Sequence, residues 1–385
     1  MAAETGIQAR PVGHRFPVVS LVVLGILIGI GLVVAIIRFL NGIGAVSNLS
    51  DGRAWGLWIS FDLYCGVALA AGGFTMAATV YIFNLKKYYP IVRSAILTAY
   101  LGYLMVIFAL LVDLGQPWRI WHMIIYWNPH SPLFEVGWCV FLYTGVLTLE
   151  FSPNIFERFR LEVPLRLIRA IQIPLIIAGI VLSTLHQSSL GSTLLLMPDK
   201  IHPLWFTPIL PLMFLVSAIC VGPAMVIVET SLGSKGLGHH VDIAVPAGLG
   251  RALPYLLGAY LALKLGDLLV AGELGLIFTS GLYSVLFLLE VVGGLLLPLV
   301  LFSLPAIRRS SLGLLISAAL VVAGLILNRF NASLVGLSPR PGTIYFPHPM
   351  EFAISLSIVS AGILAYILAN RYLPIMHHEA PGETA

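Results

Sequence analysis

AWGLWISFDLYCGVALAAGGF, residues Ala54–Phe74, decides the class of fold. Two tryptophans, Trp55 and Trp58, open an apolar run that carries one acid, Asp62. The run then turns almost entirely small: Ala68, Ala70, Ala71, Gly72, Gly73, Ala77 and Ala78. Tryptophans gather at membrane–water interfaces, and small residues let a transmembrane helix approach its neighbours closely. An acid just below the interface is costly unless it serves something. The stretch therefore reads as a spanning helix buried in a bundle, with a polar site at its mouth.

The composition agrees. Of 385 residues, 59% are hydrophobic and 10% charged, and the mean hydropathy is +0.98, which excludes a soluble globular domain. A span needs ~20 mainly apolar residues. Ten stretches qualify: about 17–40, 57–83, 91–114, 133–151, 168–189, 206–230, 251–272, 279–303, 311–330 and 350–369. The expected architecture is an all-α integral membrane protein, with a tail over 1–16 and a polytopic domain over 17–385. The first apolar run is too long for a cleaved signal peptide. The side of the N-terminus carries fourteen Lys and Arg. The other carries six, Arg38, Arg53, Arg119, Lys200, Arg329 and Arg340, while Lys264 falls inside a span. The positive-inside rule then places both termini in the cytoplasm. The net charge of +4 reports topology, not nucleic-acid binding. The loops 41–56, 115–132, 190–205, 273–278 and 331–349 face outward. They hold Trp55, Trp118, Trp121, Trp127, Trp205, His122, His130, His202 and His348, either an aromatic belt or a docking surface for an outer partner.

Orientation gives each intramembrane polar residue a depth. Asp62, Asp113, Glu135 and His186 lie at the outer ends of four consecutive helices, 2 to 5. Together they point to a shared pocket; singly, each is a solvated helix end. In the second half, Lys264 and Asp267 are spaced i,i+3 and share a helix face, so they can pair. Glu290 sits mid-span, where an isolated acid costs on the order of 3 kcal/mol. Glu229 and Glu150 lie at inner helix ends. Glu229, Glu290 and Asp267 sample the inner edge, the middle and the outer half, the spacing of a proton ladder around helices 6 to 9.

A b-type haem usually takes two histidines from spans, and of ten histidines only His186 is clearly inside one. Cys65, Cys139 and Cys220 are too scattered for an iron–sulfur site. The expectation is a chain without haem, iron–sulfur cluster or other metal.

At these residues a family becomes recognisable. WGLWISFD with GVALAAGGF (Trp55–Phe74), VDLGQPWR (Val112–Arg119), SPLFE and LEFSP (within Ser131–Pro153), LHQSSLGS and IHPLW (within Leu185–Trp205) and VETSL (Val228–Leu232) resemble the NrfD/polysulfide-reductase membrane-subunit family. The likeness is nearest to its ten-helix HybB-like branch, the membrane subunits of hydrogenase-2-type enzymes. Related subunits of sulfite-reduction-linked and alternative complex III assemblies share much of the pattern. The resemblance implies a multi-pass subunit of a respiratory oxidoreductase in the bacterial cytoplasmic (inner) membrane. It implies a site for quinone, menaquinone or ubiquinone, as substrate. It also implies an external, periplasmic iron–sulfur ferredoxin-like partner and a catalytic subunit such as a nickel–iron hydrogenase. Asp62, Asp113, Glu135, His186, Gln187 and His202 would line or support the quinone site. Glu135 is the expected proton donor and His186 the hydrogen-bond partner of a carbonyl. Glu229, Lys264, Asp267 and Glu290 would carry protons. An ion-coupled secondary transporter or a purely structural anchor are the competing classes; a transporter would show helices broken at mid-membrane and often an inverted repeat.

Overall fold

The computed structural model describes residues 8–9, 18–53, 55–236, 242–337, 345–375 and 377–378. The rest of the tail over 1–16 and Arg340 lie outside the described residues. Among the described residues ten helices are long and apolar enough to cross a membrane: α1 Val18–Asn41, α2 Trp58–Ile82, α3 Lys86–Asp113, α4 Pro132–Phe159, α5 Gln172–Leu194, α6 Leu210–Gly233, α7 Ala244–Val270, α8 Leu282–Ser303, α9 Ser311–Val335 and α10 Pro349–Tyr372. Apart from a two-residue antiparallel pairing of Gln8–Ala9 with His377–His378, the described chain is helical. That pairing brings both ends to one side, as an even number of spans requires.

Several boundaries differ from the hydropathy reading: α7 begins at Ala244, α3 at Lys86, and α9 runs on to Val335. α4 runs on through Glu150, Pro153 and Glu157 to Phe159, where Arg160 adopts a left-handed conformation (φ 55) and ends it. Hydropathy stops at the first charges; backbone hydrogen bonding does not. Residues 168–171, expected as the start of α5, belong partly to a separate short helix, Glu162–Ala170.

α2 is the most enclosed span, with 67% of its most apolar window buried against 11% for α1. It packs on α3, α5, α6, α9 and α10, while α1 rides on α10. The small residues permit this. A Cβ on Gly73 would stand 2.5 Å from that of Ala99 on α3, and one on Gly72 would stand 3.0 Å from Val226 on α6. α8 and α9 cross backbone to backbone, since a Cβ on Gly324 would lie 2.3 Å from the Cα of Gly294.

Wide π-type turns interrupt α2 over Trp58–Cys65, α8 over Leu289–Leu296 and α9 over Asn331–Val335. Such turns free backbone groups and re-aim side chains, often at functional sites. Asp62, Glu290 and Asn331 each sit on one.

The α8–α9 crossing makes a direct prediction. Gly324→Val should lower the unfolding midpoint in detergent by the equivalent of about 1–3 kcal/mol of overpacking. Gly25→Val, with nothing within 4 Å of its position, should leave the midpoint unchanged.

Candidate functional site

The residues singled out in the sequence fall into four groups. The first is built on α5. His186 is fully buried, and its Nδ1 lies 2.8 Å from the Tyr103 hydroxyl of α3. The Tyr103 ring stands edge-on to that of Tyr143 on α4, 4.6 Å between centroids. The next residue, Gln187, donates to the Val67 carbonyl of α2 at 2.8 Å. Half a turn on, Ser189 donates to Glu135 at 2.5 Å, and Thr193 meets the Tyr64 hydroxyl at 2.6 Å. One face of α5 thus ties α2, α3 and α4 around His186.

Two atoms of this group stay open. His186 Nε2 and Gln187 Oε1 are buried without a hydrogen-bond partner. Buried polar atoms are almost always satisfied, so an unpaired imidazole nitrogen and an unpaired amide oxygen on successive residues of α5 are suited to polar ligand groups or water. Glu135 differs. It is exposed on the first turn of α4, at the protein's rim. Beside it Phe134, Trp138 and Phe141 join Trp127 in a chain of ring contacts, with Trp127 and Trp138 4.8 Å apart. Sequence reading missed this wall, although the i, i+4, i+7 spacing of Phe134, Trp138 and Phe141 carries the signal.

Asp62 and Asp113 form a second group, away from α5. Residues two apart on a helix point to nearly opposite sides; Tyr64 faces α5, and Asp62 faces α10, where Ser355 donates to it at 2.5 Å. Asp113 lies in the fields of Arg38 and Glu351. Arg38 is buried and donates to the carbonyls of Val112, at 2.6 Å, and Leu114. Glu351, also buried, accepts from Tyr345 at 2.5 Å and from the amides of Asn48 and His348. Helices 1, 2, 3 and 10 are sewn together here. The four helix-end residues expected in one pocket therefore divide, Glu135 and His186 on one side of α2, Asp62 and Asp113 on the other.

The third group surrounds Glu290. Lys264 of α7 is ion-paired to it, and Trp205, Asn328 and Asn331 each donate at 2.9 Å. Four donors on one carboxylate answer the cost of burying it. The expected pairing of Lys264 with Asp267 is not formed. Lys264 turns inward to the fully buried acid, and Asp267, nearer the helix end, accepts from Thr207 at 2.8 Å. Arg329, absent from the sequence-derived candidates, is buried with its guanidinium 3.6 Å over the Phe214 ring, donating to Ser217 at 2.7 Å. His202 belongs here and not beside His186: its ring lies 4.5 Å from that of Tyr283 and 5.7 Å from that of Trp205. Burial pushes its imidazole below its ordinary pKa. Two cavities of about 20 and 30 Å³ flank the network and share Tyr260 and Asn328 in their walls. They are the size of one or two waters.

Glu229 forms the fourth group. It accepts from Ser94 of α3 and from Tyr366 of α10, the latter at 2.9 Å. None of these partners donates to Glu290, so no direct hydrogen bond links Glu229 to the Glu290 group. Among the described residues no cluster of three or more His, Cys, Asp or Glu is arranged to hold a metal ion.

The profile of the family described as "Polysulphide reductase, NrfD" matches residues 45–336, the whole of α2 to α9. The chain belongs to the NrfD family. A protein of Nitratidesulfovibrio vulgaris (strain Hildenborough) is 40% identical over 367 residues, 92% of this chain and 94% of the relative. The probable Ni/Fe-hydrogenase 2 b-type cytochrome subunit of Escherichia coli (strain K12) is 36% identical over 372 residues, 95% of each. The menaquinone reductase integral membrane subunit of N. vulgaris is 30% identical over 385 aligned positions, 91% of this chain and 90% of the relative. The NrfD family and the ten apolar helices make this a multi-pass membrane protein, and the NrfD and HybB-like resemblance read from the motifs is borne out.

The Glu290 network sets the next prediction. Glu290→Leu leaves Lys264 charged and buried without its partner, which costs about 3–5 kcal/mol. Chemical unfolding in mixed micelles should register a loss of that order; a change under about 1 kcal/mol would show that water already reaches the pair.

Proposed function

We propose that this chain is the quinone-reactive membrane subunit of a respiratory oxidoreductase, exchanging electrons between an external iron–sulfur partner and membrane quinone. The observation that carries the reading is the α5 constellation: a buried imidazole with a free nitrogen, and a carboxylate tied to the same helix at the exposed rim beside an aromatic wall. A quinone head group needs an apolar slot, hydrogen-bond donors at its two carbonyls and a source of protons. His186, held by Tyr103, presents Nε2 to one carbonyl. Glu135, tethered by Ser189, supplies a proton from the rim. Reduction takes two electrons from the partner's cluster and two protons through the protein; oxidation of quinol runs the same steps backwards. Gln187 supports the site directly, and Asp62 supports it by fixing α2 against α10 through Ser355; Asp113 and His202 lie outside it.

The same proposal places this subunit in the bacterial inner membrane with cytoplasmic termini. Three of the six charges opposite the termini, Arg38, Arg53 and Arg329, are buried and are not free loop charges, which sharpens the asymmetry behind that orientation. The partner subunits, a ferredoxin-like iron–sulfur protein and a catalytic subunit such as a nickel–iron hydrogenase, dock on the exposed aromatics Trp118, Trp121 and Trp127. Helices 2 to 5 form the quinone-site bundle, and helices 6 to 9 a second bundle for protons. Glu229 is the entry station. Lys264, Asp267 and Glu290 are a water-linked station further in, with the small cavities as water sites. The chain itself holds no haem or iron–sulfur cluster; menaquinone or ubiquinone is its substrate.

In the purified complex, Glu135→Gln should lower quinone turnover about 100-fold or more, the scale of a lost proton donor, with assembly intact. The same preparation should lack a b-type α-band in its reduced-minus-oxidised spectrum. Full turnover in the variant would remove Glu135 from the chemistry, and a stoichiometric α-band would refute the haem-free reading.

A further inference from the structure

The connection between α4 and α5 carries a short helix that the quinone reading leaves unused. Arg160 turns the chain out of α4 through its left-handed conformation. The helix Glu162–Ala170 then hangs by Ile168, which is buried. Its apolar stripe is uncovered: Val163 is 74% exposed and Leu167 64%, four residues apart on one face. Phe159 at 67% and Ile173 at 71% extend the stripe at either end. A short amphipathic helix with its apolar face open lies in the plane of a membrane interface.

The arginines around it are sorted into two kinds. Glu157 takes Arg93 of α3, at 2.8 Å, and Arg169, at 3.0 Å, so these two are occupied and clamp the short helix to α3 and α4. Arg158, Arg160 and Arg166 are exposed and form no ion pair among the described residues. The one other acid of the segment, Glu162, is exposed at the first turn of the short helix. Three free guanidiniums therefore stand beside an apolar stripe at the depth of lipid head groups. Guanidinium forks match phosphate oxygens in pairs, and basic side chains at this depth attract anionic lipid.

We propose that Arg158, Arg160 and Arg166, with the stripe Phe159–Val163–Leu167, bind the phosphate head group and acyl chains of an anionic phospholipid. The occupant is a lipid and not free phosphate, because the apolar stripe has no use for a phosphate ion. The site also lies against the Glu157 clamp, so an occupied site reinforces the α3–α4–α5 contacts behind it. It stands independently of the quinone reading.

The test uses the full chain in phosphatidylcholine nanodiscs, with and without phosphatidylglycerol. Phosphatidylglycerol should raise the wild-type unfolding midpoint by several degrees, and native mass spectrometry should find it retained. The triple variant R158Q/R160Q/R166Q should lose the shift while matching wild type in pure phosphatidylcholine. Should that variant not fold, a photoreactive phosphatidylglycerol on wild type decides the matter: crosslinks within residues 158–173 support the site. An equal shift in variant and wild type, crosslinks only elsewhere, or inorganic phosphate alone reproducing the shift would overturn it.

Discussion

Inside a bilayer no water is at hand, so every buried charge must find its partners within the protein. That constraint organises this chain. Glu290 gathers a lysine, a tryptophan and two asparagines from α7, α9 and the loop before α6. Arg38 takes carbonyls at the end of α3, and Arg329 takes a ring face, a serine and a carbonyl of α6. Each such residue fixes the relative position of helices that apolar packing, equally content with lipid, would leave free to slide. The small-residue faces of α2 and the Gly294–Gly324 crossing then bring the helices close enough for those bonds to form.

Much of this was legible in the sequence. Hydropathy gives ten spans because a helix that crosses hydrocarbon has to be apolar for its whole length, and the alanines and glycines of 68–78 mark α2 as the central element. What was not legible follows from the limits of a linear reading. Depth along a helix can be read from position, but the face a residue presents depends on the whole bundle and on π-type turns that shift the phase. Asp62 and His186 were placed at one level, yet Asp62 looks to α10 and His186 to α3. Lys264 had a partner three residues away in sequence and took one from another helix. Arg38 and Arg329 were read as loop charges because they end apolar runs, although each is buried.

The geometry also separates chemistry from scaffold. Glu351, whose carboxylate accepts from Tyr345 and from the amides of Asn48 and His348, holds the fold. His186 and Gln187 each keep an open atom on a helix tied to α2, α3 and α4. Tyr103 of α3 holds that imidazole, and α2 and α4 are tied to other residues of the same helix. The exposed carboxylate of Glu135 stands where a lipid-soluble molecule would enter. The proposed function is therefore a claim of place: it puts the quinone ring on the α4–α5 side of α2 and not in the polar core of α6 to α9.

Photolabelling the membrane-embedded complex with an azidoquinone and mapping the modified peptides tests that claim most directly. The account predicts label on Pro132–Phe159 and Gln172–Leu194, displaced by unlabelled quinone. Displaceable label confined to Leu210–Val335 would contradict it.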